Sequence, residues 1–141
     1  MLKRIILLSL TVGLVNMIAK SQVASEVCAL NIGTECPSAK VQQVDGKVVD
    51  LKEFCSEKPT VLVFYRGGWC PYCTDHLAAL NSVEEDIKEM GYDVVAISPD
   101  DVETYPEFLK KEKLSYTLIS DYKDEAMKAF GIAFHPSEKR I

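Results

Sequence analysis

The sequence predicts an α/β layer fold built on a parallel sheet, and three observations predict it. Val61-Leu62-Val63-Phe64-Tyr65 is a continuous apolar run, and Val94-Val95-Ala96-Ile97-Ser98 is nearly so, as expected for strands buried on both faces of a sheet. Between them, from about Cys73 to Met90, the residues Leu77, Leu80, Val83, Ile87 and Met90 recur three or four apart, with Gly91 as a stop. That is the stripe of a helix with one face in the core. Strand, helix and strand in this order form a right-handed βαβ unit.

The other elements follow from local signals. Glu26 to Ala39 has no clear period and reads as extended or irregular chain. Val41–Val44 and Lys47–Leu51 flank Asp45-Gly46, which predicts a hairpin closed by a type I′ turn. Asp100 or Asp101 is placed to cap a short helix running to about Lys113. Tyr116–Ser120 reads as a third strand. Asp121 then caps a last helix that turns Ala126, Met127 and Phe130 inward and ends at Gly131.

The first residues are of another kind. Lys3 and Arg4 precede a run from Ile5 to Ala19 broken only by Ser9, Thr11 and Asn16, the layout of an export signal. A run of this length is short for a spanning helix, and Ala19-Lys20-Ser21 supplies the small-x-small cleavage pattern. The prediction is a signal over residues 1–21, one domain over 22–141, and a periplasmic or secreted protein with no membrane attachment after cleavage. Losing Lys3, Arg4 and Lys20 takes the net charge from −5 to −8. Such a chain offers no basic surface for nucleic acid.

Cys28, Cys36, Cys55, Cys70 and Cys73 all lie beyond that signal. Their number is odd, so at least one stays outside any set of internal bridges. The informative pair sits in Trp69-Cys70-Pro71-Tyr72-Cys73, where a buried strand hands over to a helix N-terminus. Reactive groups of α/β sheets gather at the carboxyl ends of strands. Unpaired N–H groups at a helix start stabilise a thiolate. Pro71 presets φ for the first turn, and the two-residue gap lets the second sulfur reach back to resolve a mixed disulfide.

Two neighbours and one alternative complete the reading. Arg66 stands four residues before Cys70 in a glycine-bearing loop, where it is either a thiol-activating or peroxide-orienting cation or a solvated loop residue. Trp69 and Tyr72 shape and cover the site. The alternative is zinc held by Cys70, Cys73 and His76, completed by Cys36, Cys55 or His135; structural zinc sites usually show a second close pair of ligands, which the sequence lacks. His76 reads more simply as a polar residue near the helix start.

From Gly33 to about Phe134 the chain resembles the AhpC/TSA peroxiredoxin-like family. The matching features are Gly33-x-x-x-Pro37, Asp45-Gly46-Lys47 before Leu51 and Phe54, Val61 to Tyr65, the run from Arg66 to Cys73, Ile97-Ser98-Pro99-Asp100, and Leu118-Ile119-Ser120-Asp121 before Ala129-Phe130-Gly131. The resemblance implies a thioredoxin-like fold with an N-terminal hairpin extension. It also implies two further antiparallel strands and a final helix, the first strand opening with a cis-proline near His135-Pro136; on this reading residues 22–141 are C-terminally incomplete.

The family pattern Pro-x-x-x-Thr/Ser-x-x-Cys, aligned on Cys73, puts Arg66 at the proline and Cys70 at the threonine. The sequence thus resembles the CxxC-containing branch. By analogy with thioredoxins Cys70 is the more exposed, attacking thiol and Cys73 the resolving one; the peroxiredoxin register reverses them. The implied function is a thiol peroxidase cycling Cys70 and Cys73 between dithiol and disulfide, without a cofactor or metal. Its partners are a hydroperoxide, a thioredoxin-like reductant and a second copy in a homodimer. The alternatives are an exported thiol–disulfide reductase acting on protein disulfides, and a zinc-binding or inactive truncated module.

Overall fold

The computed structural model describes residues 27–134. The predicted signal over 1–21 and the His135-Pro136 dipeptide lie outside them. Among the described residues five strands form one sheet: β1 (Lys40–Gln43), β2 (Val48–Asp50), β3 (Thr60–Phe64), β4 (Asp93–Ser98) and β5 (Thr117–Ser120), in the order β2-β1-β5-β4-β3. Strands β3, β4 and β5 are parallel, with Val63 opposite Ala96 and Ile97 opposite Ile119. The hairpin β1–β2 joins antiparallel to β5, so the sheet is mixed.

Helices cover both faces. Along β4, Val94 and Ala96 point into one core with Leu77, Tyr105, Phe108, Tyr116 and Leu118. Val95 and Ile97 point into the other with Val41, Leu51, Ile119 and Ala126. This two-sided burial is why β4 is apolar without a break from Val94 to Ile97. The first core is roofed by α2 (Pro71–Asn81), α3 (Glu84–Glu89) and α4 (Tyr105–Glu112), the second by α1 (Leu51–Ser56) and α5 (Glu125–Ala129). No described helix is long and apolar enough to cross a membrane.

The predicted single helix from Cys73 to Met90 is corrected to two. It starts earlier, at Pro71, and breaks at Ser82-Val83. Ser82 Oγ donates back to the Ala79 carbonyl, while Asn81 accepts from the backbone N–H and hydroxyl of Ser115. Glu84 is drawn inside, where it takes the Ser115 hydroxyl and an ion pair with Lys88. These ties across to the β5 approach override the apolar period. Val83 and Met90 therefore end up exposed rather than in the core, whereas Leu77 is buried and Leu80 and Ile87 pack at its edge.

Three smaller corrections follow. β3 was expected to be buried on both faces, yet it lies at one edge of the described sheet and its residues are mostly half-buried. The Asp45-Gly46 turn is not type I′, since only Gly46 has positive φ (+87°). Gly46 N–H donates to the Gln43 carbonyl and Gln43 N–H to the Lys47 carbonyl, a three-residue loop in which Gly46 forms the bulge. The predicted second strand ends at Asp50, because that side chain accepts from the Lys52 N–H and caps α1.

The downstream elements stand close to expectation. Asp101, not Asp100, caps the 3-10 turn Val102–Thr104 that leads into α4. Asp121 is buried and takes the N–H groups of Ala126 and Met127 at 2.9 and 2.8 Å, fixing the start of α5.

Candidate active site

β3 ends at Phe64, and the chain crosses Tyr65 to Trp69 before entering α2. Tyr65 extends the sheet by one bond, its N–H to the Ile97 carbonyl. The chain then reverses at Gly67, whose φ of +141° only glycine adopts readily. A Cβ there would come within 2.5 Å of Trp69 Nε1 and 2.7 Å of an Asp100 carboxylate oxygen. The turn closes with the Cys70 N–H donating to the Gly67 carbonyl.

Cys70 is the N-cap of α2 and Pro71 its first residue. With φ −92° and ψ 108°, Cys70 is extended where the chain enters the helix. Its carbonyl accepts both the N–H and the hydroxyl of Thr74. Cys73, one turn along, brings its Sγ to 2.8 Å from that of Cys70. Both thiols are free.

The two sulfurs are not equivalent. The Cys70 thiol is held below its ordinary value, first by the S–H of Cys73, then by the N–H groups of Cys73 and Tyr72 and the nearby Arg66 guanidinium, against the cost of burial. Burial and donation toward Cys70 push Cys73 up, partly offset by the Arg66 N–H and its positive charge. The first proton to leave the pair therefore leaves Cys70, and Cys73 keeps its own as donor. Exposure runs the other way. Cys70 is 2% exposed and Cys73 half-buried, which corrects the thioredoxin analogy that made Cys70 the more open sulfur.

Arg66 and Trp69 meet in a cation–π contact, the guanidinium 4.8 Å from the ring centroid. Trp69 and Tyr72, which flank the buried Cys70 in the sequence, are largely exposed, 65% and 84%. His76 lies exposed on α2. Among the described residues no three His, Cys, Asp or Glu side chains converge on a point where a metal could sit.

Sequence reasoning did not single out the clamp that holds the loop. Asp100, just past the carboxyl end of β4, accepts the Gly68 N–H at 2.7 Å and the Ser98 hydroxyl at 3.0 Å. Its own carbonyl takes the Ser120 hydroxyl at 2.6 Å. Ser98 also meets the Tyr105 hydroxyl, and that hydroxyl donates to the Ile119 carbonyl. A buried polar chain thus ties the loop to the ends of β4 and β5. The signal was Ser98-Pro99-Asp100 directly after an apolar strand. A cavity of about 290 Å³ opens beside the loop, bounded by Trp69, Asp100, Glu107 and Phe108.

A thioredoxin-like sheet with two contacting thiols at a helix start defines a class of thiol-chemistry scaffold. The AhpC/TSA family model matches residues 32–140, and the chain belongs to that family. It is 35% identical over 113 residues to a chloroplastic peroxiredoxin Q of Suaeda salsa, an alignment that covers 80% of this chain and 52% of the relative. The chain spans about half the length of the curated relatives it matches. The peroxidoxin BcpB structure from Mycobacterium tuberculosis superposes with TM-score 0.64 at 25% identity, covering 70% of this chain and 64% of that one. Reduced Prx3 from Vibrio vulnificus, in complex with hydrogen peroxide, superposes with TM-score 0.68 at 19% identity, covering 72% and 68%.

Proposed function

We propose that this protein is a thiol peroxidase that reduces hydroperoxides through Cys70 and Cys73. The contact between their sulfurs at the start of α2 carries the reading, and membership of the AhpC/TSA family supports it. In the first step the Cys70 thiolate attacks a peroxide oxygen. The O–O bond breaks, the leaving alkoxide takes a proton, and Cys70 becomes a sulfenic acid. Cys73 then displaces hydroxide, which leaves as water with the Cys73 proton, and the disulfide forms. An external dithiol returns both sulfurs to thiols, becoming a disulfide itself.

Attack is assigned to Cys70 because the thiolate is the nucleophile and Cys70 ionises first. Arg66 adds positive charge to the site. The contrary register, with Cys73 attacking, is favoured by its greater exposure and by the family pattern, which aligns its reactive cysteine with Cys73. Single variants separate the two. With Cys73→Ser, peroxide and a sulfenic-acid trap should label Cys70; with Cys70→Ser, labelling of Cys73 should be slow. Rapid labelling of Cys73 and none of Cys70 would reverse the roles, and no labelling of either would remove the peroxidase reading.

A second reading is favoured by Trp69 and Tyr72. Two exposed aromatic rings beside a buried sulfur suit docking of a protein disulfide, which is thiol–disulfide exchange with the same pair. Turnover of hydroperoxide against reduction of a protein disulfide, measured on one preparation, ranks the two substrates. Export by a signal at residues 1–21, one domain over 22–141 and a homodimer belong to this proposal as well. The size and N-terminal residue of the protein recovered from its native host test the signal, and its sedimentation tests the dimer.

A further inference from the structure

Two more cysteines are brought together on the opposite face of the sheet. Cys73 packs at the edge of the core under α2, whereas Cys55 packs against the core under α1 and α5. Cys55 lies one helical turn after Lys52 on α1, and positions three apart share a helix face. Lys52 Nζ meets Glu35 at 2.9 Å, and Glu35 is the residue before Cys36. Two further contacts fix the same register: the Ser38 hydroxyl on the Asp50 carboxylate, and the Leu51 N–H on the Ala39 carbonyl. The segment 35–39 is thereby laid along the start of α1 with Cys36 beside Cys55.

The two thiols line one cavity of about 530 Å³, together with Leu30, Leu62, Phe64 and Phe130. They are near enough for each to influence the ionisation of the other, while the Cys36 sulfur rests 3.8 Å from the Pro37 carbonyl. Both are free and neither is fully exposed.

We propose that Cys36 and Cys55 are a second dithiol, closing to an intrachain disulfide that staples the N-terminal segment to α1, independently of Cys70 and Cys73. The oxidant is a low-molecular-weight disulfide. One cysteine thiolate attacks it, forming a mixed disulfide and releasing one small thiol. The other cysteine then displaces the second, so one Cys36–Cys55 bond forms, one small-molecule S–S bond breaks, and the two protein protons end on the two released thiols. Burial pushes both protein thiols above their ordinary range, Cys55 to about 11, so closure is slow at neutral pH and accelerates as the solution is made alkaline. Slow exchange and poor nucleophilicity suit a structural staple rather than a peroxide-consuming centre.

The test uses the full chain carrying Cys70→Ser and Cys73→Ser, incubated with oxidised glutathione at pH 8.5 and mapped by peptide mass spectrometry. The expected product has lost two hydrogens in a linked Cys36–Cys55 peptide, with Cys28 free or glutathionylated. Its Tm should stand above that of the reduced form by on the order of 10 °C, given the chain between the two positions. Adding Cys55→Ser should abolish the link and leave Cys36 as a glutathione adduct. The same linked peptide is sought in the wild-type chain, so that poor folding of the variant does not decide the matter. Separate glutathione adducts on Cys36 and Cys55, or a Cys28–Cys36 bridge in place of the proposed one, would overturn the proposal.

Discussion

Replacing Asp100 by alanine tests whether the reactive pair is held in place from the far end of β4. The carboxylate accepts the Gly68 N–H at 2.7 Å and the Ser98 hydroxyl at 3.0 Å, and hydrogen bonds to a charged group contribute roughly 1.5–3 kcal/mol each. Asp100 is only half-buried, so water takes up part of the loss at Gly68. The expected net destabilisation is about 2–3 kcal/mol, which for a domain of this size lowers Tm by roughly 10 °C. Because Gly68 and Gly67 position the N–H of Cys70, the rate of Cys70 alkylation by iodoacetamide at pH 7 should fall as well. Asp100→Asn keeps one acceptor oxygen, and its Tm should fall by about half as much. Circular dichroism melts and peptide-resolved alkylation read both effects. An alanine variant that melts within about 1 °C of the parent and alkylates at the parental rate would refute the clamp.

Gly67→Ala should be worse than its size suggests. The +141° φ costs on the order of 1–3 kcal/mol for a residue with a side chain, and the new methyl collides with Trp69 and Asp100; an unchanged melt would mean that the turn is not held as described. Leu77→Ala removes a side chain 2% exposed beneath the site and should cost about 2–5 kcal/mol by chemical denaturation. Arg66→Ala should shift the pH midpoint of Cys70 alkylation upward, because the guanidinium charge favours the thiolate, while Arg66→Lys restores it; a downward shift would contradict the role given to its charge. Across a pH series the alkylation of Cys70, whose thiol lies below its ordinary value, should persist to lower pH than that of Cys55, which ionises near 11. Identical profiles would remove the distinction between the two dithiols.

How much of this was legible beforehand differs from element to element. Val94 to Ile97 announced β4 correctly because both faces of that strand are packed, and a strand covered on both sides leaves no polar position to confuse the pattern. Val61 to Tyr65 has the same apolar look, yet β3 is a half-buried edge strand of the described sheet, since an apolar run does not tell how many strands and helices lie alongside. The CxxC pair was legible from local chemistry alone, strand end, proline and helix start. Its internal asymmetry was not, because which sulfur is buried and which ionises depends on the Arg66–Trp69 loop folding over Cys70. The break at Ser82-Val83 was hidden for a related reason. Asn81 and Glu84 are tied to Ser115, 34 and 31 residues further on, and no window of local periodicity contains that contact. Asp100 looked like a helix cap because an aspartate after a strand usually is one; its neighbour Asp101 took that role and left Asp100 for the loop.

The most direct measurement uses the full chain with Cys28, Cys36 and Cys55 replaced by serine, fully reduced and then given hydrogen peroxide in limiting steps. One equivalent of peroxide should be consumed for each two thiols lost, with all of the product as a Cys70–Cys73 bridge reopened by dithiothreitol. Consumption that stops without a bridge, or thiols that survive excess peroxide unchanged, would contradict it.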